Sequence, residues 1–239
     1  MNPIVVIPAR MAATRLPGKP LADIGGRAMI LRAWDRACAS GLRVAVAAGD
    51  AQIVDLVRAA GGEAVWTDPA LPSGSDRVRA ALDTLDPGRR HDAVVNLQGD
   101  MPFADPATST LCVELLAEGG DIATLVAAEA DPSDRTNPDV VKAVLALPEG
   151  TDRGRALYFT RSNLYGEGPV WRHIGVYGYR RDALDRFCAA PPSPLERREK
   201  LEQLRALELG LTIRAAVVAE APLSVDNPAD LEAARAFIV

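Results

Sequence analysis

Through the first half of the chain, short apolar runs rich in Val and Ile alternate with stretches whose apolar residues recur at helical spacing. Strands that read as continuous apolar runs are buried on both faces, which happens when helices cover both sides of a parallel sheet. The pattern predicts strands over Ile4 to Pro8, Val44 to Ala48, Glu63 to Trp66, Ala93 to Leu97 and Ile122 to Ala127. Helices are expected over Ala28 to Ala39, Ala51 to Ala60, Asp76 to Leu85 and Pro106 to Glu118. Gly41 and the pair Gly61 and Gly62 stand where helix C-caps belong. The fold class this implies is α/β, a doubly wound and mostly parallel sheet.

The second half is less regular. Val140 to Leu147, Ala156 to Phe159 and His173 to Tyr179 read as strands with Gly- and Pro-containing connections. Ser193 is placed to cap one helix running to Leu209, a last strand covers Thr212 to Val218, and a closing helix covers Pro228 to Ala236. With no repeat or flexible linker, residues 1–239 are expected to form one domain. Its nucleotide-binding half would span about 1–130, a smaller inserted sub-lobe about 131–210, and a closing strand and helix about 211–239.

Composition narrows the partners. At 239 residues and a formal net charge of -5, the chain lacks the general basic surface that holds nucleic acid, so polyanions must be met by a local cluster. No apolar stretch approaches the roughly 20 residues of a membrane span. No export signal is visible at Met1, so a soluble cytoplasmic protein is expected. Cys38, Cys112 and Cys188 lack metal-site spacing and are expected to be reduced core thiols, Cys38 sharing a helical face with Ile30 and Trp34.

The first strand runs into Arg10, Thr14, Arg15, Gly18 and Lys19, framed by Pro17 and Pro20. A loop at the carboxyl end of a strand in an open parallel sheet is where ligands bind. Arginine forks and a lysine ammonium there suit a triphosphate, although a solvated basic loop would have the same composition. Neither a P-loop nor a G-x-G-x-x-G pattern is present. Asp100, after the strand ending near Leu97, would lie at the same edge, and Asp226 precedes the closing helix. Two carboxylates suffice to hold a nucleotide's magnesium, Mg2+; a turn role for Asp100 and a helix cap at Asp226 are the competing readings.

Taken together, these segments resemble the 3-deoxy-manno-octulosonate (Kdo) cytidylyltransferases, or CMP-Kdo synthetases, nearly end to end. The resemblance is carried by Ile7-Pro8-Ala9-Arg10, Thr14 to Leu21, Asn96-Leu97-Gln98-Gly99-Asp100, Ala156 to Arg161, His173-Ile174-Gly175-Val176-Tyr177 and Leu201-Glu202-Gln203-Leu204-Arg205. It implies a Rossmann-like nucleotidyltransferase fold whose smaller lobe binds sugar and dimerises. It further implies that Arg10, Lys19 and Asp100 are catalytic, that Asp100 and Asp226 hold magnesium, and that Thr14, Arg15, Ser73, Gly74, Arg77 and Gln98 line the CTP site. For Kdo it implies Arg161 at the carboxylate, with His173, Tyr177, Glu202 and Gln203 around the hydroxyls.

Without the resemblance, His173 would be a satisfied core histidine, and Glu199, Glu202, Arg197 and Arg205 a solvated helix face. The chain differs from many relatives at Met101, at Ala48-Gly49-Asp50 and at Asn163 to Tyr165. A related 2-keto acid sugar such as 8-amino-Kdo or sialic acid, and a non-catalytic nucleotide-binding relative, are the alternatives.

Overall fold

The structure, a computed structural model, describes residues 1–239 except 13, 14, 130, 165, 167 and 239. It is mixed α/β and divides into two compact units, Met1–Thr110 with Pro222–Val239, and Leu111–Ala221.

In the first unit, β1 (Pro3–Ala9) is followed by a short hairpin of β2 (Asp23–Ile24) and β3 (Arg27–Ala28). Next come α1 (Met29–Cys38), β4 (Arg43–Ala48), α2 (Ala51–Ala59), β5 (Glu63–Trp66), α3 (Gly74–Leu85) and β6 (Ala93–Asn96). The order β5-β4-β1-β6 is parallel throughout. Ile4, Val5, Val6 and Ile7 are fully buried, as a strand covered on both faces requires. Gly41 and Gly61 adopt the left-handed conformation that ends the preceding helices.

The chain passes through α4 (Ala107–Ala117) into the second unit, which contains β7 (Ile122–Ala128), β8 (Lys142–Ala146), β9 (Arg153–Thr160) and β10 (Trp171–Arg180). After these come α5 (Arg181–Ala189), α6 (Pro194–Glu199), α7 (Gln203–Glu208) and β11 (Ile213–Val218). The order here is β10-β7-β11-β9-β8. Among the described residues of this unit β7 and β11 pair in parallel, while β10 with β7, β10 with β8, β11 with β9 and β8 with β9 are antiparallel. The final helix, α8 (Pro228–Ala236), belongs to the first unit.

Three local expectations are corrected. The helix expected from Ser193 to Leu209 is two helices, because Lys200 takes a left-handed conformation (φ 56) that stops α6. Ser193 does cap α6, in a reciprocal box with Glu196. Arg205 is buried and paired with Glu196 at 2.6 Å, so it is not part of a solvated face, whereas Arg197 on α6 is exposed. Cys38 is exposed and Cys188 half-buried; only Cys112 is a core thiol, pushed up to about 12 by burial.

Candidate active site

The loop after β1 is built by its own backbone. Gly18, at φ 72, allows the short turn Lys19–Leu21 to begin, and its N–H donates to Met11 O at 3.3 Å. Asp50 holds the loop's other end: instead of capping α2, its carboxylate accepts from the Met11 N–H at 2.7 Å. The sequence pattern assigns Asp50 no such role. Gly99 serves close approach, since a Cβ there would stand 3.2 Å from Pro8 O and 3.1 Å from Ile30 Cδ1.

These features bring Lys19 to the aspartates. Its Nζ donates to Asp100 Oδ2 at 2.8 Å and to Asp226 Oδ1 at 2.9 Å. Asp226 is delivered by Val225, whose N–H donates to Asp100 O at 3.0 Å and whose side chain is buried with Ile24, Met29, Leu231 and Ala234. Asp226 does not cap α8. Asn227 does, with Asp230 answering from the third position, so the Asp226 carboxylate is left to face Lys19 and, at 3.5 Å, Arg15.

The charges reinforce one another. Burial works against the Lys19 ammonium, but Asp100 and Asp226 outweigh it and its pKa lies above 10.5. Burial raises the Asp100 carboxyl above the usual range, with Lys19 opposing the rise. Among the described residues no three His, Cys, Asp or Glu side chains group to hold a metal by themselves. A magnesium ion on a nucleotide needs only one or two carboxylates, its remaining ligands being phosphate and water, so Asp100 and Asp226 fit such an ion in type and number.

Around this centre lies a cleft of about 350 Å³. Arg10, Arg15, Lys19, Asp100 and Asp226 line it, together with Ser73, Gly74, Arg77 and Gln98. Ser73 caps α3, accepting from Asp76 N at 3.1 Å, which sets the N-terminus of that helix at the cleft wall. Gln98 Nε2 donates to Asn96 Oδ1 at 2.8 Å. Arg77 is buried, and its guanidinium donates to Thr67 Oγ1 at 2.6 Å, Asp68 O at 3.1 Å and Pro69 O at 3.4 Å. Arg77 therefore shapes the wall by holding the 67–69 turn. Thr14 lies outside the described residues.

The remaining residues of interest lie in the second unit. His173 and Tyr177 are on β10 with ring centroids 5.4 Å apart, and Phe159 on β9 meets His173 at 5.0 Å, edge to face. Burial holds the His173 imidazole down to about 3 even though part of the residue reaches the surface. Burial, then the nearby charge of Glu202, raises the Tyr177 phenol well above 10.0, so it keeps its proton. Gln203 is buried at the start of α7. Arg161, two residues beyond Phe159, donates from Nη1 to Pro138 O at 3.0 Å. Beneath it the buried Lys142 donates to Asn137 O at 2.5 Å and to Arg161 O at 3.0 Å, a support that sequence reading missed.

A family model described as Cytidylyltransferase matches residues 4–213. The 3-deoxy-manno-octulosonate cytidylyltransferase of Parvibaculum lavamentivorans is 59% identical, the match covering 99% of this chain and 93% of that protein. The chain belongs to the 3-deoxy-manno-octulosonate cytidylyltransferases. The protein of that name from Rhodospirillum centenum is likewise 59% identical over 99% of this chain and 93% of its own. Among solved structures, a CMP:2-keto-3-deoxy-manno-octonic acid synthetase complexed with CTP superposes with a TM-score of 0.90 at 35% identity, covering 100% of this chain and 98% of that one. Membership of this cytidylyltransferase family makes the chain a nucleotidyltransferase, and no helix among its described residues is long and apolar enough to cross a membrane.

Proposed function

We propose that this enzyme transfers CMP from CTP to Kdo, giving CMP-Kdo and pyrophosphate. The observation that carries the reading is the convergence of Lys19, Asp100 and Asp226 in a cationic cleft. The names of its relatives and the CTP complex of a solved family member support the two substrates.

The anomeric hydroxyl oxygen of Kdo forms a bond to the α-phosphorus of CTP and gives its proton to solvent. The bond from that phosphorus to the bridging oxygen breaks, and pyrophosphate leaves with the electron pair. Arg10 and Arg15 bind phosphate oxygens, and Lys19, fully charged at neutral pH, offsets the charge that builds on the leaving group. Ser73, Gly74 and Gln98 seat the nucleoside against a wall held by Arg77. Asp100 and Asp226 would hold magnesium, which when bound polarises the α-phosphate and lowers the pKa of the attacking hydroxyl. No covalent enzyme intermediate is needed; positioning and charge stabilisation carry the rate.

For the acceptor, Arg161 offers a fork that matches the Kdo carboxylate, while His173, Tyr177, Glu202 and Gln203 bind its hydroxyls. We read the all-parallel first unit as the doubly wound nucleotide-binding half, and the second as the sugar-binding lobe through which a homodimer forms. The enzyme would act in the cytoplasm, activating Kdo for lipopolysaccharide synthesis. Incubation with CTP and equal amounts of Kdo, 8-amino-Kdo and sialic acid, with products identified by mass, tests the acceptor. CMP-Kdo is the expected main product; preference for another sugar would move the substrate, and no CMP sugar at all would favour a binding-only relative.

A further inference from the structure

Thr124, on β7, is completely buried and sits opposite an irregularity in β10, whose register against β7 shifts between Ile174 and Tyr177. At such a shift the ladder is interrupted and carbonyl groups need other partners. The Thr124 hydroxyl supplies one: Oγ1 lies 2.8 Å from Val176 O and 3.2 Å from Ile174 O. The same oxygen lies 3.0 Å from His173 Nε2.

A hydroxyl has a single hydrogen, and carbonyl oxygens have none to give. Whichever carbonyl receives it, that hydrogen is spent, and toward His173 the hydroxyl presents only lone pairs. Nε2 must then carry the hydrogen of this contact. We infer that Thr124 fixes His173 in the Nε2–H tautomer, so that the imidazole meets its ligand through Nδ1, as an acceptor for a sugar hydroxyl. Nδ1 has no hydrogen-bond partner among the described residues, and the residue is only half-buried. Enclosure between Phe159 and Tyr177 disfavours the doubly protonated ring, which agrees with the downward shift of its pKa to about 3.

The consequence is a division of labour in sugar recognition. An acceptor-only Nδ1 takes a hydrogen from a hydroxyl and repels a carboxylate, leaving the carboxylate to Arg161. Thr124 is thus a positioning residue: it acts on specificity through His173. This inference rests on the reading of His173 as a sugar contact.

The chain has only two histidines, His91 and His173, so nitrogen-15 NMR of histidine-labelled full-length protein resolves the question, with His91→Gln assigning the signals. His173 is expected as the Nε2–H tautomer, with that hydrogen slow to exchange with water. Thr124→Val should expose the hydrogen to exchange and raise KM for Kdo about five- to tenfold, the scale of one hydrogen bond. In that variant kcat and KM for CTP should hardly change, and Thr124→Ser should restore both signal and KM. An Nδ1–H tautomer in the unmodified protein overturns the inference even where Thr124→Val does not fold. So does a Thr124→Val protein with unchanged protection and unchanged KM for Kdo. If Thr124→Val loses protection but His173→Asn leaves KM for Kdo unaltered, the sugar-contact reading fails while the tautomer assignment stands.

Discussion

The carboxylates of Asp100 and Asp226, from distant parts of the chain, are joined through one cation: each accepts a hydrogen from Lys19 Nζ, at 2.8 and 2.9 Å. Without that ammonium the two would repel at close range, one of them already pushed toward protonation by burial. Lys19 therefore offsets that repulsion and holds the two carboxylates close together before substrate arrives.

Replacing either aspartate should then separate metal binding from nucleotide binding. Asp100→Asn and Asp226→Asn are each expected to lower kcat by at least about 100-fold, the scale of a lost charge-stabilising group. Both should also weaken manganese binding, followed by electron paramagnetic resonance in the presence of a non-hydrolysable CTP analogue. Full activity in either variant would remove that residue from the site.

Lys19→Met gives the opposite metal signature. It should abolish turnover, yet bind divalent cations more tightly without nucleotide, because the carboxylates lose their internal counter-ion. A larger rise in Tm with added magnesium than in the unmodified enzyme is the expected result. An equal or smaller rise would show that the pair does not offer a cation site.

Arg77 tests the cleft wall. Its three contacts with Thr67, Asp68 and Pro69 need a forked guanidinium, which lysine cannot imitate. Arg77→Lys should raise KM for CTP about tenfold, with KM for Kdo unchanged, and cost about 2 kcal/mol of stability in urea unfolding.

Acid should weaken the fold at identifiable places. Burial alone would raise the Glu196 carboxyl, but paired hydrogen bonds from Arg205 prevail and hold it below 4.5. A depressed carboxylate contributes stability that is complete above its unfolded value and is lost as pH falls through the folded one. Glu196→Gln should therefore cost about 3 kcal/mol at pH 7 and much less well below the folded value. His173 acts in the same direction by another route: held near 3 against an ordinary 6.5, it binds its proton mainly on unfolding. Between those values it should remove about 1.4 kcal/mol per pH unit as pH falls, a slope absent from His173→Asn.

The legible parts were those with local causes. The strand Glu63–Trp66 and the helix Pro228–Ala236 follow from apolar period and proline or glycine punctuation and fall where the sequence places them. Helix α5 was missed because it begins at Arg181 directly after β10, with no turn residue between them. The break at Lys200 had no glycine or proline to announce it. Cys38 misled because four-residue steps drift about 40° each around a helix, so the third residue of such a series leaves the buried face. At the site, residue types pointed to Lys19 and the aspartates, but their meeting depends on the Val225 to Asp100 backbone bond, a long-range pairing that no local pattern encodes. Asp50, Lys142 and Thr124 act through backbone atoms or another side chain, which leaves no motif.

The most direct test is pyrophosphate release from CTP and magnesium, measured with and without Kdo, in the unmodified enzyme and in Asp100→Asn. Release that requires Kdo and falls at least about 100-fold in the variant is the predicted result. Release without Kdo, or undiminished in Asp100→Asn, would contradict the account.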